Sequence, residues 1–105
     1  MFKVIRKNDA SVRKISNNKI AINYITKEVS PDVSLAVTEV TNFEEKQKTE
    51  YNRIYYILKG TLILSFDDEE IRLEKGDSCH VSKGTEYLMS GTFKAIVVNQ
   101  PAFGT

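Results

Sequence analysis

From residue 16 to residue 100 no apolar stripe recurs at helical spacing; short alternating runs broken by isolated glycines take its place. Ile20, Ile22 and Tyr24 alternate with Ala21, Asn23 and Ile25, as in a half-buried strand. Ser30-Pro31-Asp32 supplies a turn, because proline fixes φ and the aspartate can bond its own backbone. Residues 35–40 read as a second strand, and the polar stretch 41–50 as a loop. Residues 53–58 form a third strand, bent sharply at Lys59-Gly60. Leu62, Leu64 and Phe66 share one face of the next strand. Asp67-Asp68-Glu69-Glu70 turns it back into Ile71 and Leu73. Gly76-Asp77 and Gly84 mark further turns around residues 78–81. Residues 87–89 and 94–99 make a last pair, joined at Ser90-Gly91. Many short strands with glycine turns predict an all-β antiparallel sandwich or barrel.

At 105 residues the chain predicts a single domain, 1–105. Lys and Arg number 15 against 14 Asp and Glu, so no strong field or basic run points to nucleic acid. The single cysteine, Cys79, excludes an internal disulfide and a cysteine-based zinc site. No stretch reaches the about 18 apolar residues of a membrane helix. Residues 1–14 carry Lys3, Arg6, Lys7, Arg13 and Lys14 with no apolar block behind them, unlike a secretory signal. A cytoplasmic protein with no membrane partner is the expectation.

The run Arg53-Ile54-Tyr55-Tyr56-Ile57-Leu58-Lys59-Gly60, then Gly76-Asp77, then Gly84-Thr85-Glu86-Tyr87, resembles the cupin family over residues 35–98. The resemblance implies a double-stranded antiparallel β-helix, or jelly-roll barrel. Its first motif usually places two histidines one residue apart, then a glutamate, then a glycine. Counted back from Gly60, the glutamate position is Arg53 and the histidine positions are Gln47 and Thr49. The second motif keeps Gly76 and Gly84, but its proline is Ser82 and its histidine is Tyr87. All four metal-ligand positions are therefore substituted. Transition metals favour imidazole, thiolate or carboxylate, and an arginine repels them. The expectation is no metal and no cofactor.

If the family's ligand positions point inward, so do Gln47, Thr49 and Arg53. Tyr55 shares their face by alternation, and Tyr87 and Met89 enter from the opposite strand. These six are the candidate ligand-binding residues, with Tyr51 at the rim. Tyr and Arg can also be plain fillers of an open barrel end. Arg53 favours a pocket, since a buried guanidinium requires a carboxylate, ordered water or an anionic ligand. The reading is a metal-independent barrel for a small polar or anionic molecule, a sugar derivative or carboxylate.

Two alternatives stay open. Tyr87, His80 and Tyr55 are weak catalytic candidates for a metal-free isomerase, epimerase or lyase, a role the wider superfamily gives to His and Tyr. Cys79 and Val81 are apolar, which turns His80 away from the core. No nucleophile elbow or phosphate-binding glycine loop is present. The other alternative is a structural dimer without a ligand. Small cupins usually dimerise, and the resemblance implies an N-terminal strand crossing to a partner sheet. Phe2, Val4, Ile5, Val12 and Ile15 in the arm 1–15 suit that role.

Overall fold

The computed structural model describes residues 2–105; Met1 of the predicted arm lies outside them. After a short 3-10 turn at Lys7–Asp9, seven strands follow: β1 (Ser11–Ser16), β2 (Lys19–Ile25), β3 (Ser34–Lys48), β4 (Asn52–Phe66), β5 (Glu69–Glu74), β6 (Ser78–Val81) and β7 (Glu86–Gln100). They pair antiparallel in the order β1-β2-β3-β7-β4-β5, with β6 on β4. The chain is a cupin-like jelly-roll barrel, as expected. Among the described residues no helix is long and apolar enough to cross a membrane.

Three long strands build the barrel, and each differs from its expected outline. The polar stretch 41–50 is mostly not a loop. β3 continues through it to Lys48, with a bulge between Val40 and Phe43 and Asn42 at φ 45°. The bulge exchanges the inward set from Thr38 and Val40 to Phe43, Glu45 and Gln47, which hides the strand from a simple count of alternation. Lys59-Gly60 likewise lies inside one strand, just after a bulge between Ile57 and Lys59. Before it β4 pairs with β6, and after it with β5, while β7 follows both halves. Ser90-Gly91 joins no hairpin: Gly91 lies within β7, whose odd-numbered side chains face inward along its length. Residues 11–15 of the arm belong to β1, which pairs with β2 of the same chain.

The inward faces form a core around Ile57, Leu62, Leu64, Phe93 and Ala95. Leu62, Leu64 and Leu73 lie on one face, as the alternation predicts. This apolar packing closes one end of the barrel and leaves the polar residues of β3, β4 and β7 at the other.

Candidate functional site

The site begins with strand register. Arg53 on β4 lies opposite Asn99 on β7, and Tyr55 opposite Val97. Gln47 on β3 lies opposite Tyr87 on β7, and Glu45 opposite Met89. These pairs place a guanidinium, two phenols, two amides and a carboxylate near one another. They stand beside an open cavity of about 460 Å3 lined by β1–β4, β7 and Phe103.

Arg53 is only 8% exposed. Its Nε donates to Asn99 Oδ1 at 2.7 Å. Its Nη1 donates to Tyr87 Oη at 3.1 Å and to Gln47 Oε1 at 3.3 Å. The Tyr51 ring lies 5.9 Å from the guanidinium carbon. Every one of these partners is neutral. Among the described residues no carboxylate lies within salt-bridge distance of Arg53. Among the same residues no buried side-chain nitrogen or oxygen lacks a partner. Nη2 bonds no group among the described residues and is therefore accessible, on a residue that lines the cavity. Burial works against the cation, but the phenols of Tyr55 and Tyr87 outweigh it and hold Arg53 above the ordinary arginine range.

Tyr55 Oη and Tyr87 Oη are 2.7 Å apart. Tyr55 also lines the cavity, and its other contact is the weak acceptor Met89 Sδ at 3.7 Å. A ligand oxygen would accept the Tyr55 proton better than this sulfur. Burial, then the neighbouring Tyr87, push the Tyr55 phenol well above its ordinary 10.0, and Arg53 opposes them only in part. The fold thus favours the neutral phenol. Its stabilisation is whole below about pH 10 and is lost as pH rises further, because the unfolded chain gives up this proton first. We expect urea melts above about pH 10 to show wild type losing stability faster than Tyr55→Phe. Parallel losses would mean that the fold does not hold this proton.

Gln47 bridges outward: its Oε1 accepts from Arg53, and its Nε2 donates to Glu45. Glu45 Oε1 also meets Lys19 Nζ at 3.4 Å, and Lys19 sits over the Phe43 ring. The resulting chain of contacts runs from Lys19 through Glu45, Gln47 and Arg53 to both tyrosines.

The structure brings Gln47, Arg53, Tyr55, Tyr87 and Met89 together, with Tyr87 behind Tyr55 and Arg53. Two candidates fall outside. Thr49 is buried, but β3 ends at Lys48, and the threonine hydroxyl turns back on the backbone of Tyr51. It fixes a turn and does not line the cavity. His80 lies on the exposed face of β6, paired with Ile54, while its neighbour Val81 is buried. It cannot reach Tyr87 or Tyr55, which removes the imidazole from any chemistry in the barrel. Burial raises the pKa of the half-buried Cys79 thiol beside it. Tyr51 is no rim residue: its hydroxyl accepts from the Gly104 amide and its ring packs on Phe103. Glu45, Asn99 and Lys19 were absent from the expected site. Continuing the alternation from Gln47 and Met89 along their strands reaches Glu45 and Asn99; nothing in the sequence singles out Lys19.

The four substituted ligand positions do not fit a transition metal. One is a permanent cation whose Nη1 already bonds Gln47 and Tyr87, and the Thr49 hydroxyl is engaged elsewhere.

A family model described as a cupin domain matches residues 37–98. Among solved structures, an RmlC-like cupin from Shewanella frigidimarina superposes with a TM-score of 0.83 at 13% identity, covering 99% of this chain and 95% of that one. KdgF from Halomonas sp. gives 0.81 at 13% identity, covering 94% of each chain. A Streptomyces nucleoside dehydratase gives 0.80 at 16% identity, covering 99% of this chain and 86% of that one. A search of curated protein sequences returns no match.

Proposed function

The chain belongs to the cupin family, and on that premise we propose that its barrel holds a small polar or anionic molecule, a sugar derivative or a carboxylate, without a metal. The observation that carries the proposal is Arg53: a buried cation bonded only to neutral groups, with one nitrogen left toward a cavity. Burying an ion costs several kcal/mol unless opposite charge compensates it. An anion in the cavity supplies that charge. The cavity lining adds to the pull, with Arg13, Lys19, Lys27 and Arg53 against Glu28 and Glu45. A neighbour of the same fold is described as a nucleoside dehydratase, so a barrel of this shape serves small-molecule chemistry there.

Calorimetry on chelator-washed protein tests the reading. Small carboxylates should bind at one site per chain, unchanged by added Mn2+ or Zn2+. Retention of about one metal per chain after chelation, or binding that requires metal, would overturn it.

A catalytic reading draws on one observation. The Tyr55 hydroxyl and the Glu45 carboxylate line the same cavity. A metal-free lyase or isomerase needs such a pair. Deuterium entering the carbon skeleton of a bound acid in D2O, and lost in Glu45→Gln, would favour it.

We also propose a homodimer. Val12, Ile22, Val37, Ile96 and Tyr56 pair in register across β1, β2, β3, β7 and β4, so they form one row on the outer sheet face. Leu35, Val98 and Ile54 form the next row. Val12 is 68% exposed, Tyr56 44% and Ile54 42%. A contiguous apolar face of this kind suits a second copy packed about a two-fold axis. Light scattering should give about twice the 11.9 kDa chain mass, and Tyr56→Glu should return the monomer. A monomeric wild type at micromolar concentration would contradict the dimer. A cytoplasmic location belongs to the same proposal and rests on composition.

A further inference from the structure

Within the binding reading above, the cavity also describes the body of its ligand. Its polar groups gather at one side: Arg53 Nη2 and the Tyr55 hydroxyl. Most of the others are already bonded. Asn99 Oδ1 accepts from Arg53, Gln47 is used at both ends of its amide, and Glu45 is held by Gln47 and Lys19. Asn23 and Thr38 on the β2–β3 wall make no side-chain hydrogen bond among the described residues, nor do Arg13 at the mouth and the Nδ2 of Asn99. Beside Arg53 on the sheet lie Asn99 and Ser34, and the next row inward is largely apolar. Val97 and Ala36 extend the row of Tyr55 across β7 and β3 to Asn23 on β2, Ala21 lies in the row beyond, opposite Thr38, and Met89 and Phe93 continue the surface toward the core.

A sugar presents a hydroxyl on nearly every carbon, and each loses a water partner on entry. Leaving such a group unbonded against apolar side chains costs about 1–3 kcal/mol. These few uncommitted polar groups cannot serve that many hydroxyls. An apolar skeleton, in contrast, gains from covering Ala21, Ala36, Val97, Met89 and Phe93. The volume lies within the roughly 300–1,000 Å3 of small-molecule sites, so a ring or a short chain fits beside the charged head.

We propose that the ligand is a monocarboxylic acid with an apolar body, an aryl or alkyl carboxylate, and not a sugar acid. Its carboxylate bridges Arg53 Nη2 and the Tyr55 hydroxyl, and its hydrocarbon part lies on the β7–β3 wall. The cationic mouth, with Arg13 and Lys27, draws the acid in without contacting its body.

Calorimetry with benzoate, hexanoate, formate, galacturonate and benzyl alcohol separates the contributions. Benzoate and hexanoate should bind at least ten-fold tighter than galacturonate or formate, and benzyl alcohol should bind weakest. Val97→Asn should weaken benzoate about ten-fold and leave formate unchanged. Galacturonate binding as tightly as benzoate, or a Val97→Asn effect equal for benzoate and formate, would overturn the apolar-body assignment while leaving the anion site standing. Failure of every acid to bind would overturn the anion site itself and this assignment with it.

Discussion

Arg53→Met should weaken a bound carboxylate by roughly 2–5 kcal/mol, a loss of about thirty-fold to several-thousand-fold in affinity. Methionine keeps most of the arginine's volume, so the measured change reports the charge and its hydrogen bonds more than packing. Much of the loss comes from leaving the ligand's carboxylate desolvated with no cation to face. The fold should lose less. Asn99 Oδ1, Gln47 Oε1 and Tyr87 Oη lose their donor, but the open cavity lets water replace it, which holds the cost to about 1–3 kcal/mol. Titration of a carboxylate and a thermal melt on the same variant separate the two roles. Affinity kept while the melting temperature falls sharply would make Arg53 a structural brace.

The second large effect belongs to the fold. Gly60→Ala should destabilise the chain by at least about 3 kcal/mol. Gly60 sits at φ +80°, and a Cβ there would overlap the Thr92 carbonyl oxygen and stand 2.8 Å from Phe93 Cα. Gly91 is its reciprocal on the neighbouring strand. At φ +125° its Cβ would overlap the Thr61 carbonyl oxygen. Both obstacles are backbone, so no side chain can swing aside. The two glycines let β4 and β7 approach where both strands pass from one half of the barrel to the other. Gly76 and Gly84 also have positive φ but face open space, so alanine there should cost about 1 kcal/mol. Urea melts of Gly60→Ala and Gly76→Ala with equal midpoints would show that the close crossing is not what requires Gly60.

These glycines also mark where the sequence is easily misread. A glycine between two alternating runs looks like a turn, and only the register shows Gly60 and Gly91 inside continuous strands. The same difficulty hides β3. Its bulge shifts the inward positions from even to odd numbers, and its second half is charged because it borders the polar end of the barrel. Where no bulge intervenes, alternation reads correctly. Arg53 and Tyr55 share a face with Ile57, and Val81 turns inward while His80 turns out. The network around Arg53 was legible only in part. Gln47 and Tyr87 follow from the motif spacing and Tyr55 from alternation, but the motif carries no position for Asn99 or Glu45. Thr49 keeps its motif position and loses its role, because the strand stops one residue before it. From charge alone the expected partner of Arg53 is a carboxylate, ordered water or an anionic ligand. The structure instead surrounds the cation with amides and a phenol, and places Glu45 one residue further along the chain of contacts.

A crystal structure of the chelator-washed protein with benzoate measures the central claim directly. The account predicts the carboxylate within hydrogen-bond distance of Arg53 Nη2 and the Tyr55 hydroxyl, with the ring against Val97 and Ala36. A benzoate held only at the mouth by Arg13 or Lys27, with Arg53 facing water, would contradict it.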